Sequence, residues 1–317
     1  MLDKSFTTLL DARFGDIDQM CADVRHWDLD FHPLQADALT PYIGRVIQGM
    51  SRRFQCAYAR FLVNIDQRGA PPADKFTFGF PGRNLNAIWW QGQHVSQEDV
   101  LVYFPGTEMH SVTGCDFEVH IISLSEEDIE RYADRCGLKR PRLGRLPSLF
   151  KAPTFLIEEA RSLLGLMTSD PLSIDDCSLD LFAENLVRCW LGQIGLVSKT
   201  ATSHHSDQVL DQVLAAVSQG NSADVRVSEL CENAGLSRRA LELAFRERFN
   251  MGPAAFLKSS RLVETRRRLS AASSAEASVG DIMALSGFSH VGQFARDYKR
   301  MFGELPSVTL ESPSGRF

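Results

Sequence analysis

The chain is predicted to be α+β in two parts. A β-rich N-terminal half, built as a small antiparallel barrel or jelly roll with helices behind it, precedes an all-α C-terminal part. Three observations predict this. Runs of aromatic and β-branched residues recur between Pro/Gly turns as far as Leu124, whereas beyond residue 206 every apolar pattern has helical spacing. The length, 317 residues, suits two ordinary domains. Charge is divided the same way: the net of -6 splits into 20 basic against 27 acidic residues over 1–204 and 14 against 13 over 205–317.

The strands are expected after an irregular start, at residues 54–65, 76–80, 86–91, 99–104 and 116–124, with turn chemistry at 69–72, 81–84 and 105–106. Ser125, with Asp128 three residues on, is a good N-cap for a helix to about Cys136 that Gly137 stops. A connection rich in Arg and Pro leads to helices at about 154–167 and 174–196. The second places Leu179, Phe182, Leu186, Trp190 and Ile194 on one stripe. That stripe either packs on the protein's own barrel or forms a dimer seam. Residues 197–206 are polar and turn-forming and are taken as a linker between a sensing and dimerisation domain (1–196) and a helical domain (207–310). Within the first domain the barrel is expected at about 50–124 and the helices at 125–196. The helical domain shows amphipathic segments near 207–219, 227–233, 237–249, 253–272, 279–285 and 289–302.

Composition removes several functional classes. With 44% apolar and 23% charged residues the chain is neither disordered nor fibrous. No apolar run approaches the ~18 residues of a membrane helix, and the start carries acidic charge with no secretory apolar core. Seven scattered cysteines without a CxxC predict reduced thiols, hence a cytoplasmic protein. No GxSxG, P-loop, GxGxxG or Cys/His metal spacing is present, so no enzymatic activity and no cofactor are expected.

The informative pattern is a weak internal repeat. Ala234-Gly235-Leu236-Ser237 ends a short helix and starts another containing Leu241, Phe245 and Phe249. Some 52 residues later Ser286-Gly287-Phe288-Ser289 does the same before Phe294, Tyr298 and Phe302. A short helix, a glycine turn and a longer helix capped by serine make the helix-turn-helix recipe. The stretch 235–303 carries twelve basic against six acidic residues, which fits a polyanion partner for this part alone.

In these residues the chain resembles the AraC/XylS family of transcription regulators over about 207–307. The stretch from Val227 to Ala272 matches the family's first unit and connecting helix. Ile282, Gly287, Phe288, Phe294, Arg296, Tyr298, Lys299, Phe302, Gly303 and Pro306 carry the most specific part of the signature. The resemblance implies two helix-turn-helix units, joined by a long helix, that enter successive major-groove segments on one DNA face. It also implies a regulator, an activator, that binds double-stranded promoter half-sites as a homodimer, with RNA polymerase as a further partner.

On that reading Arg238, Arg239 and Glu242 in the first reading helix, and His290, Gln293 and Arg296 in the second, are base-contact candidates. Arginine's fork matches guanine, glutamine suits adenine and a carboxylate accepts from cytosine. Ser237, Arg246, Ser289, Lys299 and Arg300 are candidates for phosphates. Arg248 and Arg266 to Arg268 are assigned to intramolecular ion pairs or solvated positions. The first reading helix departs from the family in being less basic, with Glu242, Leu243 and Ala244. After Pro306-Ser307, Val308-Thr309-Leu310 also departs from it.

The sensor domains of such regulators are often cupin-like, and residues 98–106 followed by His110 loosely resemble half of a cupin motif. The other half is missing. His94, His110, Glu118 and His120 are therefore read as unrelated core or surface residues, not a metal site. The domain is expected to hold an unidentified small-molecule effector, with Phe78, Phe80, Trp89, Trp90, Tyr103 and His110 as candidate contacts. Two other functions remain open at this point: a cupin-type metal-dependent enzyme fused to a helical module, and a helical protein-interaction adaptor.

Overall fold

A computed structural model of the chain describes residues 6–35, 42–83, 88–138, 146–193, 210, 225–249, 251–272 and 277–311. Among the described residues twelve strands form two antiparallel sheets. They are β1 (Thr7–Phe14), β2 (Asp28–Gln35), β3 (Gly44–Met50), β4 (Gln55–Phe61), β5 (Asn64–Ala70), β6 (Lys75–Pro81), β7 (Trp89–Trp90), β8 (Gln93–His94), β9 (Asp99–Tyr103), β10 (Met109–Thr113), β11 (Phe117–Ser125) and β12 (Leu149–Lys151). The first sheet has the order β1-β3-β4-β11-β6-β9-β12 and the second β2-β5-β10-β7-β8. Among the described residues the two are not joined by strand pairing, so the expected barrel is instead an open two-sheet sandwich.

The expected irregular start is regular. It holds β1, β2, β3 and a short helix, α1 (Ile17–Asp23). β1 is an edge strand and mostly solvent-exposed, so its alternation is faint in the sequence. The single strand expected at 54–65 is two, β4 and β5, which belong to different sheets. The apolar run continues through the corner because residues on both sides of it are buried.

Period-two alternation assigns every strand two jobs. Phe14, Val46, Ala59, Phe61, Val119 and Ile121 of the first sheet meet Phe31, Ile65, Trp90 and Met109 of the second in one core. The opposite face of the first sheet, with Cys56, Phe78, Phe80, Ile122 and Leu124, lies under α2 (Glu126–Arg135), α3 (Thr154–Ser169) and α4 (Asp176–Gly192). The capping box at Ser125 and Asp128 starts α2 as predicted. Phe80 packs on Phe182 at 5.5 Å and Phe78 on Trp190 at 5.1 Å between ring centroids. The α4 stripe is thereby accounted for: Leu179, Phe182, Leu186 and Trp190 are completely buried within one protomer and are not available as a dimer seam. Ile194 lies outside the described residues.

The C-terminal part contains α5 (Val227–Ala234), α6 (Arg238–Phe249), α7 (Pro253–Ala271), α8 (Val279–Leu285), α9 (Val291–Phe302) and α10 (Pro306–Glu311). The expected linker at 197–206 and, Leu210 apart, the helix at 207–219 lie outside the described residues. Each helix-turn-helix unit has its own core, Leu230, Leu241, Phe245, Phe249 and Phe256 in the first and Ile282, Phe294, Tyr298 and Met301 in the second. α10, which the sequence reading did not anticipate, closes the second core through buried Leu310 and a 2.8 Å hydrogen bond between Tyr298 Oη and Thr309 Oγ1.

Candidate nucleic-acid interface and sensor crevice

The turns that open the two longer helices are set by Gly235 (φ 61°) and Gly287 (φ 78°), left-handed positions that a side chain would strain. Ser237 Oγ then accepts from Ala240 N at 3.2 Å, as expected of a cap. Ser289 does not cap its helix. His290 occupies the N-cap position, with extended backbone and no side-chain cap bond, and the helix begins at Val291. His290 therefore stands at the mouth of the helix, three residues before Gln293 and six before Arg296.

Burial sorts the remaining candidates. Leu241, Phe245 and Phe249 on α6, and Phe294, Tyr298 and Met301 on α9, are buried. Arg238, Arg239, Arg246, His290, Gln293, Arg296, Lys299 and Arg300 are all exposed, and Glu242 is half-buried. Glu242 pairs with Arg246 at 3.6 Å, which lowers the net positive charge of the first reading helix. On the second, Arg296 donates to Gln293 Oε1 at 3.0 Å and Gln293 donates to Asp297 at 2.8 Å. The buried Asp297 in turn pairs with Lys258 of α7 at 2.6 Å. Burial pushes the Asp297 carboxyl up, but the bonds from Lys258 and Gln293 outweigh it and hold the group ionised below its ordinary range. Gln293 and, through it, Arg296 are thus tied to the helix that joins the units. At 19 residues that helix is about 28 Å long, close to one DNA turn of ~34 Å.

A crevice between the sheets is the candidate effector site. It contains about 540 Å³ of space free of atoms, its open mouth included. Met20, Val24 and Trp27 of the α1 region, Leu29 and Phe31 of β2, and Ala57, Ala59 and Phe61 of β4 form much of its wall. Among the described residues no lining side chain is charged. The two lining amides are already engaged: Gln48 bonds the Arg25 backbone on both sides, and Gln67 bonds Ser111 and Thr113. Of the six predicted contacts only Tyr103 lines the crevice, and burial pushes its hydroxyl pKa upward. Trp90 packs behind it at 4.5 Å. Phe78 and Phe80 face the helices on the far side of the first sheet, while Trp89 and His110 face outward from the second. Strand parity is the reason: residues one register apart lie on opposite faces, and aromatic content alone does not say which face is inside. The alternation Leu29/Phe31 against Asp30/His32 was the signal available for β2.

The residues weighed for a metal are divided between the two sheets, His94 and His110 on one and Glu118 and His120 on the other. His110 on the second sheet bonds Asp66 at 2.6 Å, whereas Glu118 and His120 are on β11 of the first. Among the described residues no group of three or more His, Cys, Asp or Glu side chains is placed to hold a metal ion.

Comparison with known proteins bears on the tail. The family described as "Helix-turn-helix domain" matches over residues 230–312. The probable thc operon regulatory protein of Rhodococcus erythropolis is 36% identical over 86 residues, 27% of this chain and 26% of that protein. The XylDLEGF operon transcriptional activator 1 of Pseudomonas putida is 31% identical over 100 residues, 32% of this chain and 30% of that protein. Residues 230–312 form a helix-turn-helix domain of the AraC/XylS type. The match spans less than a third of the length of these relatives. Among solved structures, ToxT from Vibrio cholerae aligns over 83% of this chain and all of that chain, with 13% identity and a TM-score of 0.34.

The AraC/XylS-type domain docks on the outer face of the second sheet. Leu34 and Val112 join the core of its first unit, and Ser259 Oγ donates to the Leu34 carbonyl at 2.9 Å. Arg248, buried, lies 3.5 Å from His110 Nδ1. Arg266 pairs with Asp16 and, at 3.1 Å, with Asp18; Arg267 pairs with Asp30; Arg268 pairs with Glu264 at 2.9 Å. These four arginines are intramolecular, as expected, and three of them serve the docking. Burial alone pushes the Asp30 carboxyl up, but bonds from His32 and Arg267 outweigh it and hold the group well below the ordinary range. Asp66 is lowered likewise, burial being outweighed by His110.

Proposed function

We propose that this chain is a sequence-specific, DNA-binding transcription activator controlled by a small molecule held in the inter-sheet crevice. One observation carries the reading: two reading helices, each with a buried apolar face and an exposed face bearing Arg238 and Arg239 or Gln293 and Arg296, are joined by a helix nearly as long as one DNA turn. The names of its relatives, transcriptional activators among them, support the same reading. On it the protein is cytoplasmic, acts as a homodimer on repeated half-sites and recruits RNA polymerase. It is not an enzyme. No described helix is long and apolar enough to cross a membrane.

The crevice supports an uncharged, largely apolar effector. A carboxylate or ammonium there finds no opposite charge in the wall, and an unpaired buried charge is costly. Leu29 and Phe31 of β2, Gln67 of β5 and Met109 of β10 face the crevice. On the same three strands Asp30, Asp66 and His110 face the DNA-reading domain. A ligand that shifts these strands thereby shifts the docking surface, and it changes DNA binding by its differential affinity for the two arrangements.

The test is binding of the full chain to its own upstream region and to scrambled DNA across a salt series. Affinity that is higher for the upstream region and falls steeply with salt is expected. Absence of any salt-sensitive binding contradicts the reading and favours a protein-interaction adaptor.

A further inference from the structure

The two reading helices share one register. Both have twelve residues, Arg238–Phe249 and Val291–Phe302, and their inward positions correspond: Leu241 with Phe294, Phe245 with Tyr298, Phe249 with Phe302. This register aligns the outward positions as well, and there the chemistry is exchanged. The first position is Arg238 in one helix and Val291 in the other. The sixth is Leu243 in one and Arg296 in the other. Leu243 and Val291 are 59% and 60% exposed, large apolar side chains on otherwise polar surfaces. Leu243 stands one turn from Arg239 on one side and, on the other, from Arg246, which pairs with Glu242.

Resting on the DNA-reading function proposed above, we infer that Leu243 and Val291 are base-reading residues that recognise thymine methyl groups. The two half-sites then carry guanine and thymine in exchanged places. An arginine's fork takes guanine O6/N7, and an aliphatic side chain makes apolar contact with the thymine C5-methyl, the only apolar group on the major-groove edge of a base pair. Aliphatic side chains held against phosphates lose water without a partner, which favours base edges as their target. Within its first six residues, the end of a reading helix that meets the bases, α6 offers Arg238 and Arg239 with Leu243, and α9 offers Arg296 with Val291. A half-site read by α6 pairs guanine opposite position one with thymine opposite position six, and the half-site read by α9 reverses them.

The test uses duplexes selected by the full chain from a random library, with each thymine replaced in turn by deoxyuridine. That change removes a single methyl group. One replacement in each half-site is expected to weaken wild-type binding about 3- to 5-fold, the worth of one buried methyl. Leu243→Ala should bind thymine and uracil equally in one half-site, and Val291→Ala in the other. Leu243→Arg should shift the preference at its base pair from T·A to G·C. Leu243→Gln, similar in length and helix propensity, should also lose the methyl sensitivity, while unchanged salt-dependent binding to random DNA shows that the variants fold. If no thymine replacement matters, or if the alanine variants keep wild-type sensitivity, the inference is wrong although the regulator reading stands. If wild type selects no sequence at all, both fail.

Discussion

At the scale of single residues, the exposed face of α9 is held by a chain of polar contacts from the connecting helix outward: Lys258, Asp297, Gln293, Arg296. Arg296→Ala is expected to cost ~1–3 kcal/mol at one base pair, with little change on random DNA. Competition binding on singly substituted sites checks this. The Asp297 carboxyl is depressed, so its pairing with Lys258 stabilises the fold above the ordinary carboxylate pKa of about 3.9 and is lost as the pH falls through the lower folded value. Lys258→Ala should therefore lower Tm at neutral pH, and the difference from wild type should shrink below about pH 4. A difference that persists unchanged in acid would assign Lys258 another role. The exposed positions of Arg238, Arg239, Gln293 and Arg296 were legible in the sequence because the repeat marks where the longer helices start. The Asp297–Lys258 pair was not, since it joins residues on different helices whose angle no local pattern encodes.

At the scale of elements, helix boundaries were the most readable feature. The capping box at Ser125 and the glycine turns at Gly235 and Gly287 state their geometry locally. His290 in place of Ser289 at the second cap is a one-residue shift that the repeat alone could not resolve. The strands of the second sheet were harder. β2 contains Pro33, after which its register shifts, and β7 and β8 have two residues each, so aromatic content drew attention to Phe78 and Phe80 on the wrong sheet face. Gly69 shows how closely β2 and β5 approach. Its φ of +144° is unfavourable for other residues, and an added Cβ would stand 2.0 Å from the Asp28 carbonyl oxygen. Gly69→Ala is expected to destabilise the sandwich by more than about 1 kcal/mol, read as a lower urea midpoint at unchanged m-value.

At the scale of the whole molecule, the division into a β-rich and a helical part was legible from periodicity and charge, but the joint between them was not. An acidic N-terminal part and a locally basic tail predicted a polyanion partner. Part of that basic charge instead meets the protein's own Asp16, Asp18 and Asp30. Replacing Asp16 and Asp30 by Asn should loosen the docking and speed amide exchange on α7 and β2 in the full chain. Exchange equal to wild type would mean that the apolar contacts of Leu34 and Val112 suffice. The arrangement of two reading helices on one rigid connector is the central claim, and guanine N7 methylation protection on the selected site tests it most directly. The account predicts protection in two adjacent major-groove segments about one helical turn apart on one face of the DNA, with Arg296→Ala erasing protection in only one. Protection confined to a single segment in wild type, or erased in both by that one substitution, would contradict it.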